Sequence, residues 1–366
     1  MQTAWLADVF WQFVQNNWAL VSIAATVIIL VTIPALILGR YVHIILNIMK
    51  TTPPPLSMGP RDFTPLEGEI VDFRSFDGFA LRGKLVRGNP HGPSRGMIVF
   101  AHEFASDMYS CARYCRPLIR AGYDIFSFDF RCHGQSSSEE GYTPRQWLTD
   151  REVSDILGAI AYVEDLLERQ GRPREIGLFG ISRGACACMI AAVHNSCVKA
   201  VVADGLFSTD AILEHLMKRW AYIFAKVRFV YENHHRLFWV FLRWLVIQVC
   251  RRQMHCEFPS VRKALLRMPP RPLLMIHGEK DSYIPVDQAE RLYAIAGQPK
   301  YLWVVPSAKH NQPAIIQPER YAHRTISFFD RYLEGNTFEE SDGVPMPIRQ
   351  RDRVAGPADA ASLSES

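Results

Sequence analysis

Six short apolar runs recur along the middle of the chain: GMIVFAH, YDIFSFDF, EIGLFGIS, KAVVADG, RPLLMIHG and KYLWVVP. Each is nearly continuous in apolar residues rather than alternating, the pattern of strands buried on both faces. Between them lie segments of helical period, such as LTDREVSDILGAIAYVEDLLER and VDQAERLYAIAG. Ahead of the first run, EIVDFRSFDGFALRGKLV turns at Asp77-Gly78 and predicts a hairpin. Strand and helix in alternation predict an α/β fold, a mostly parallel sheet with helices on both faces. Functional sites of such sheets lie at the carboxyl ends of the strands.

Two stretches break this rhythm. Residues 9–39 contain no charged side chain, and WALVSIAATVIILVTIPALIL supplies the roughly 20 apolar residues of a membrane span. A single-pass span is expected over about 15–39, within an anchor of residues 1–50. It is too long for the core of a signal peptide, and no cationic region precedes it. Trp5, Trp11, Trp18 and Tyr41 have the character of interface aromatics. Arg40, His43 and Lys50 follow the span, whereas Asp8 is the only charged residue before it. The positive-inside rule then predicts that the C-terminal bulk lies in the cytoplasm.

The second stretch, residues 207–262, carries nine Lys and Arg against four Asp and Glu, with eleven aromatic residues. Its uninterrupted apolar pieces are too short to cross a bilayer. That leaves a helical cap over the site or helices lying in the headgroup region of an anionic leaflet.

Around these features, TTPPPLSMGPRDFTP reads as a stiff linker over residues 51–65. The α/β body is expected over 66–335, and residues 336–366 lack apolar periodicity and are expected to be disordered. A formal charge of +4, with no phosphate loop and no basic array interleaved with aromatics, argues against nucleic acid as a partner. Eight cysteines without a regular framework read as free thiols in a reducing compartment, and Cys111 and Cys115 lack the second pair that a zinc site needs.

The candidate chemistry centres on FGISRG. Gly180-x-Ser182-x-Gly184 ends an apolar strand and opens a run of small residues, the context of a serine held on a strained strand-to-helix turn. Side chains at either glycine would collide with the adjoining strand and helix. A serine needs a base to take its proton and an acid to orient that base. His310 in VVPSAKHNQP and Asp281 in MIHGEKDSYIP each stand just past the end of a predicted strand. The order Ser182, Asp281, His310 suits this type of fold. Asp204, after KAVVA, is the rival acid. The backbone amides of Arg183 and of Phe104, in AHEFASD, are the candidates for holding a developing oxyanion. His102, His133, His194, His234, His235 and His277 read as structural or surface residues.

Taken together, AHEF, DFRCHGQS, GISRG, HGEKDSYIP and AKH resemble the α/β-hydrolase superfamily, with membrane-anchored α/β-hydrolase-domain proteins and the serine lipases and peptidases around monoacylglycerol lipase as similar branches. The resemblance covers residues 68–335. It implies an α/β-hydrolase fold, with Ser182 as nucleophile, His310 as base, Asp281 as acid, and Phe104 and Arg183 as oxyanion amides. Asp129 resembles an element that braces a loop. Where that family usually has His-Gly, this chain has His102-Glu103, and the carboxylate is expected to point out, away from the hole. The function expected is hydrolysis of acyl esters or thioesters of lipids or acylated proteins, with no metal or organic cofactor. Two alternatives are an acyltransferase, suggested by His102 and Asp107 at His-x-x-x-x-Asp spacing, and a non-catalytic binding module.

Overall fold

The hairpin foreseen around Asp77-Gly78 forms one edge of an eight-stranded sheet. The computed structural model describes residues 2–51, 64–225 and 235–334. Strands β1 (Glu69–Arg74) and β2 (Ala80–Val86) pair antiparallel, and the turn between them passes through Gly78 at φ +86°. The six apolar runs become β3 (Met97–Ala101), β4 (Asp124–Phe128), β5 (Ile176–Ile181), β6 (Val198–Asp204), β7 (Leu273–Gly278) and β8 (Lys300–Val305). The sheet order is β1-β2-β4-β3-β5-β6-β7-β8, antiparallel through β2 and parallel from β4 onward.

This order fixes where a site can form. The chain runs from β3 outward to β4 on one side and from β5 outward through β8 on the other. Between β3 and β5 the direction of winding reverses, which opens a crevice at the carboxyl ends of those two strands. Phe104 follows β3 and Ser182 follows β5, so both stand at the reversal.

The described residues form two compact units. The larger takes residues 52–213 and 256–366 and contains the whole sheet. Every residue of β3, β4, β5 and β7 is buried, which is why these runs are apolar without alternation. One face is filled by Phe100, Phe179, Tyr114, Tyr321, Phe328 and Phe329, with side chains supplied by helix α3 (Cys111–Arg120) and by the C-terminal helix Pro318–Tyr332. Helix α4 (Asp150–Arg169) starts on a capping box, Thr149 accepting from the helix while Glu152 reaches back to the Thr149 amide. Helix α5 (Arg183–His194) is buried along its first ten residues, and its Gly, Ala and Cys side chains allow close approach to the sheet.

The smaller unit joins residues 1–51 to residues 214–255. Helices α1 (Gln2–Asn16) and α2 (Trp18–Lys50) open it, followed by the later turns of α6 (Thr209–Ala225) and by α7 (Arg236–Met254). Residues 18–39 of the expected span lie within α2, a 33-residue helix that is long and apolar enough to cross a membrane. Nothing in GRYVHIILNIMK stops it, and the Thr-Pro run after Lys50 then does. The expected linker and tail lie almost wholly outside the described residues. All eight cysteines are free thiols, seven of them buried.

Candidate active site

Ser182 sits on the turn between β5 and α5 with φ +52°, ψ −114°. A non-glycine residue held there stores on the order of 1–3 kcal/mol of strain, and the surroundings must hold it in place. They do so on three sides. The Ser182 amide donates to the Asp204 carbonyl at 2.7 Å. A Cβ on Gly180 would lie 2.5 Å from the Ala185 backbone, and one on Gly184 would lie 2.2 Å from the Ala101 carbonyl oxygen and 2.6 Å from that of His102. Both glycines are thus required by backbone approaching backbone, where nothing flexible can yield.

The turn aims the serine at the loop beyond β8. Ser182 Oγ is 2.9 Å from His310 Nε2, and His310 Nδ1 is 2.6 Å from Asp281 Oδ2. The other Asp281 oxygen accepts the amides of Tyr283 and Ile284, both at 2.9 Å, so the carboxylate cannot turn away. Because Nδ1 faces a carboxylate it carries the proton, and Nε2 is left to accept the serine hydroxyl. Burial alone would raise the Asp281 pKa, but the charge and hydrogen bond of His310 outweigh it and hold the carboxyl below its ordinary range. Tyr283 stacks on the His310 ring with centroids 5.8 Å apart.

The rival acid is placed elsewhere. Asp204 accepts the Tyr321 hydroxyl at 2.9 Å, with no hydrogen bond to His310. Burial pushes its pKa up to about 7, against the lowering effect of Tyr321. His277 is buried, with Nε2 donating to the Ile284 carbonyl at 2.8 Å. Asp129 is a brace: its two oxygens accept the amides of Met108 and Gln135, each at 2.6 Å.

The loop after β3 is shaped by His102. Its Nε2 accepts the Phe130 amide at 3.2 Å and Nδ1 donates to the Glu103 carbonyl at 2.6 Å, which fixes a neutral ring. Burial depresses its pKa to about 3, with the nearby Arg183 charge acting in the same direction. Asp107 accepts the Tyr109 amide and caps a short turn, so the His-x-x-x-x-Asp spacing is used here in building the loop.

Glu103 departs from expectation. It does not point out to water: it is 3% exposed and turns inward, with Oε2 3.4 Å from Ser110 Oγ at the start of α3. Burial raises its pKa, which favours the neutral acid and relieves the repulsion a carboxylate would exert nearby. The usual preference of Glu for solvent gives way beside a fully buried His102 and a half-buried Phe104 that lies under the Arg183 guanidinium.

The side chain of Arg183 was not foreseen; only its amide was. The guanidinium is fully buried and lies over the Phe104 ring at 5.1 Å and the Phe130 ring at 5.4 Å. It donates to His133 Nε2 at 3.0 Å and to the Arg145 carbonyl at 2.9 Å, and pairs with Glu152 at 3.3 Å. One side chain thereby links the two residues nominated for the oxyanion hole and ties both to α4. Arg183→Met is expected to lower stability by about 3–5 kcal/mol, since it strands buried polar partners. Calorimetry would read this as a fall of the melting temperature by many degrees, and an unchanged midpoint would refute the tie.

Comparisons with known proteins bear on the fold and the family. The chain is 24% identical over 250 residues to YfhR of Escherichia coli K12, covering 67% of this chain and 74% of that protein. It is 23% identical over 299 residues to YqkD of Bacillus subtilis, covering 79% and 90%. Among solved structures, the Pyrococcus furiosus esterase Pf2001 shares the fold at a TM-score of 0.54 and 22% identity, over 77% of this chain and 99% of that one. A model of the alpha/beta hydrolase family matches residues 85–324. That match takes in well over half of the chain and every strand from β3 to β8, and the chain therefore belongs to the alpha/beta hydrolase family.

Proposed function

We propose that this chain is a membrane-tethered serine hydrolase that cleaves acyl ester or thioester bonds of lipids or lipid-modified proteins. The observation that carries the reading is the hydrogen-bonded path from Ser182 through His310 to Asp281. As Ser182 Oγ attacks an acyl carbonyl, His310 Nε2 takes its proton, and Asp281 holds the imidazole and stabilises its new charge. The amides of Phe104 and Arg183 receive the oxyanion, and the latter also stands at the positive end of α5. His310 then gives its proton to the leaving alcohol or thiol. Water, activated by the same nitrogen, releases the acyl group and restores the serine.

In this reading α2 is the anchor, and the basic residues after it keep the catalytic unit on the cytoplasmic side. The bilayer is then both the tether and the reservoir of acyl substrate.

The test is labelling of detergent-solubilised protein with a fluorophosphonate, wild type beside Ser182→Ala. Labelling of the wild type that is lost in the variant supports an activated serine. Folded wild type that does not label would move the binding-module reading to the front. Vesicle-bound acyl esters and thioesters then form the substrate panel.

A further inference from the structure

The smaller unit contains a second apolar surface, on α7. Its residues Trp239, Leu242, Val246 and Cys250 are buried, and their spacing puts them on one side of the helix. The opposite side carries Leu237, Phe241 and Trp244, which are 68%, 48% and 55% exposed. These three are separated by four and three residues, so they form one continuous apolar ridge. Apart from Arg236, exposed at its first position, and the half-buried Arg243, the first three turns of this helix carry only apolar side chains.

The buried side of α7 packs against α2. In α2 the buried residues are Ile45, Leu46 and Met49, all in the last two turns, whereas Ile28, Leu30, Val31, Ile33 and Leu36 upstream are exposed. Lys50 Nζ donates to Gln253 Oε1 at 2.7 Å and joins the C-terminal ends of the two helices. Polar character gathers at this joined end: Lys50, Gln253, Arg251 and the exposed Arg252. Within α7, Arg243 is held by Glu214 at 2.7 Å and is drawn toward α6 rather than across the ridge. The joined end thus gathers Lys50, Arg251 and Arg252, while Arg236 is exposed at the opposite end of α7 and Arg40 upstream in α2.

We infer that α7 is a second lipid-contacting helix, docked on the C-terminal turns of α2, with Leu237, Phe241 and Trp244 in the same leaflet and Arg252 and Lys50 at its headgroups. This rests on the reading of α2 as a membrane span. A ridge ending in an indole beside cationic side chains has the chemistry of an interfacial helix, and phosphate groups complement its basic end. By connectivity, the lipid-contacting helix is inserted between β6 and β7, so the chain leaves and re-enters the catalytic sheet through a segment held at the membrane.

The experiment uses the full chain in vesicles of phosphatidylcholine and phosphatidylglycerol. An environment-sensitive fluorescent amino acid is introduced in place of Trp244, of Leu30 in α2, or of the exposed Phe76 in the β1–β2 turn. Lipids bearing a shallow or a deep nitroxide serve as quenchers. The expected result is loss of most of the emission at 244 with the shallow quencher, at 30 with the deep one, and at 76 with neither. Quenching at 30 without quenching at 244 would overturn the inference and leave the anchor standing. Quenching at neither would overturn both, and quenching at 244 alone would uphold the lipid contact of α7 while refuting the span.

Discussion

Asp281→Asn is expected to lower kcat for acyl hydrolysis by about 10⁴-fold with the fold intact. The substituted side chain can still accept the Tyr283 and Ile284 amides through its carbonyl oxygen, so the loop after β7 keeps its hydrogen bonds. The amide nitrogen then replaces the carboxylate oxygen that faces His310 Nδ1 at 2.6 Å. An NH₂ group donates there, which forces the imidazole proton onto Nε2. The nitrogen 2.9 Å from Ser182 Oγ would then no longer be able to accept a proton. Asp204→Asn provides the contrast, because an amide oxygen can accept the Tyr321 hydroxyl as the acid does. Its effect on kcat is expected to be far smaller. Steady-state kinetics on one ester substrate compares the two, and a larger loss from Asp204→Asn would reverse the assignment of the acid.

Gly184→Ala is expected to slow the reaction by a different route. The added methyl would stand 2.2 Å from the Ala101 carbonyl oxygen, and that carbonyl belongs to the last residue of β3. Either α5 moves off the sheet or the AHEFASD loop moves away from α5. Both displace Phe104 relative to Arg183, and a displacement of about 1 Å in such a site costs about 100-fold in rate. Fluorophosphonate labelling rates together with circular dichroism separate this from unfolding. A folded variant that labels at the wild-type rate would show that the approach of β3 to α5 does not set the site.

Much of this arrangement could be read in the chain because its strongest constraints are local. Strands buried on both faces must be apolar throughout, so β3 to β7 announce themselves, the half-buried edge strand β8 shares their pattern, and the residues that end them can be nominated in order. Ser182, Asp281 and His310 were nominated in that way. What stayed hidden depends on enclosure by distant segments. The inward turn of Glu103 follows from packing around β3 and α3, which no local pattern encodes. The motif assigns a task to the Arg183 amide alone, and the pairing of its side chain with Glu152, thirty-one residues upstream, is set by burial that no local pattern encodes. The pairing of α7 with α2 links segments some two hundred residues apart. Hydrophobic period reveals that each helix has an apolar side and leaves its partner unspecified.

The path from Ser182 to His310 also has a temporal consequence. The two residues lie 128 positions apart, and the strands β6, β7 and β8 are made between them. At translation rates of about 5–20 residues per second, the serine leaves the peptidyl-transferase centre roughly 6–25 s before the histidine does. Through that interval Ser182 has no histidine to take its proton. If the proposed function holds, the serine becomes reactive only when the loop after β8 closes on the sheet, so completion of the fold and onset of activity would be a single event.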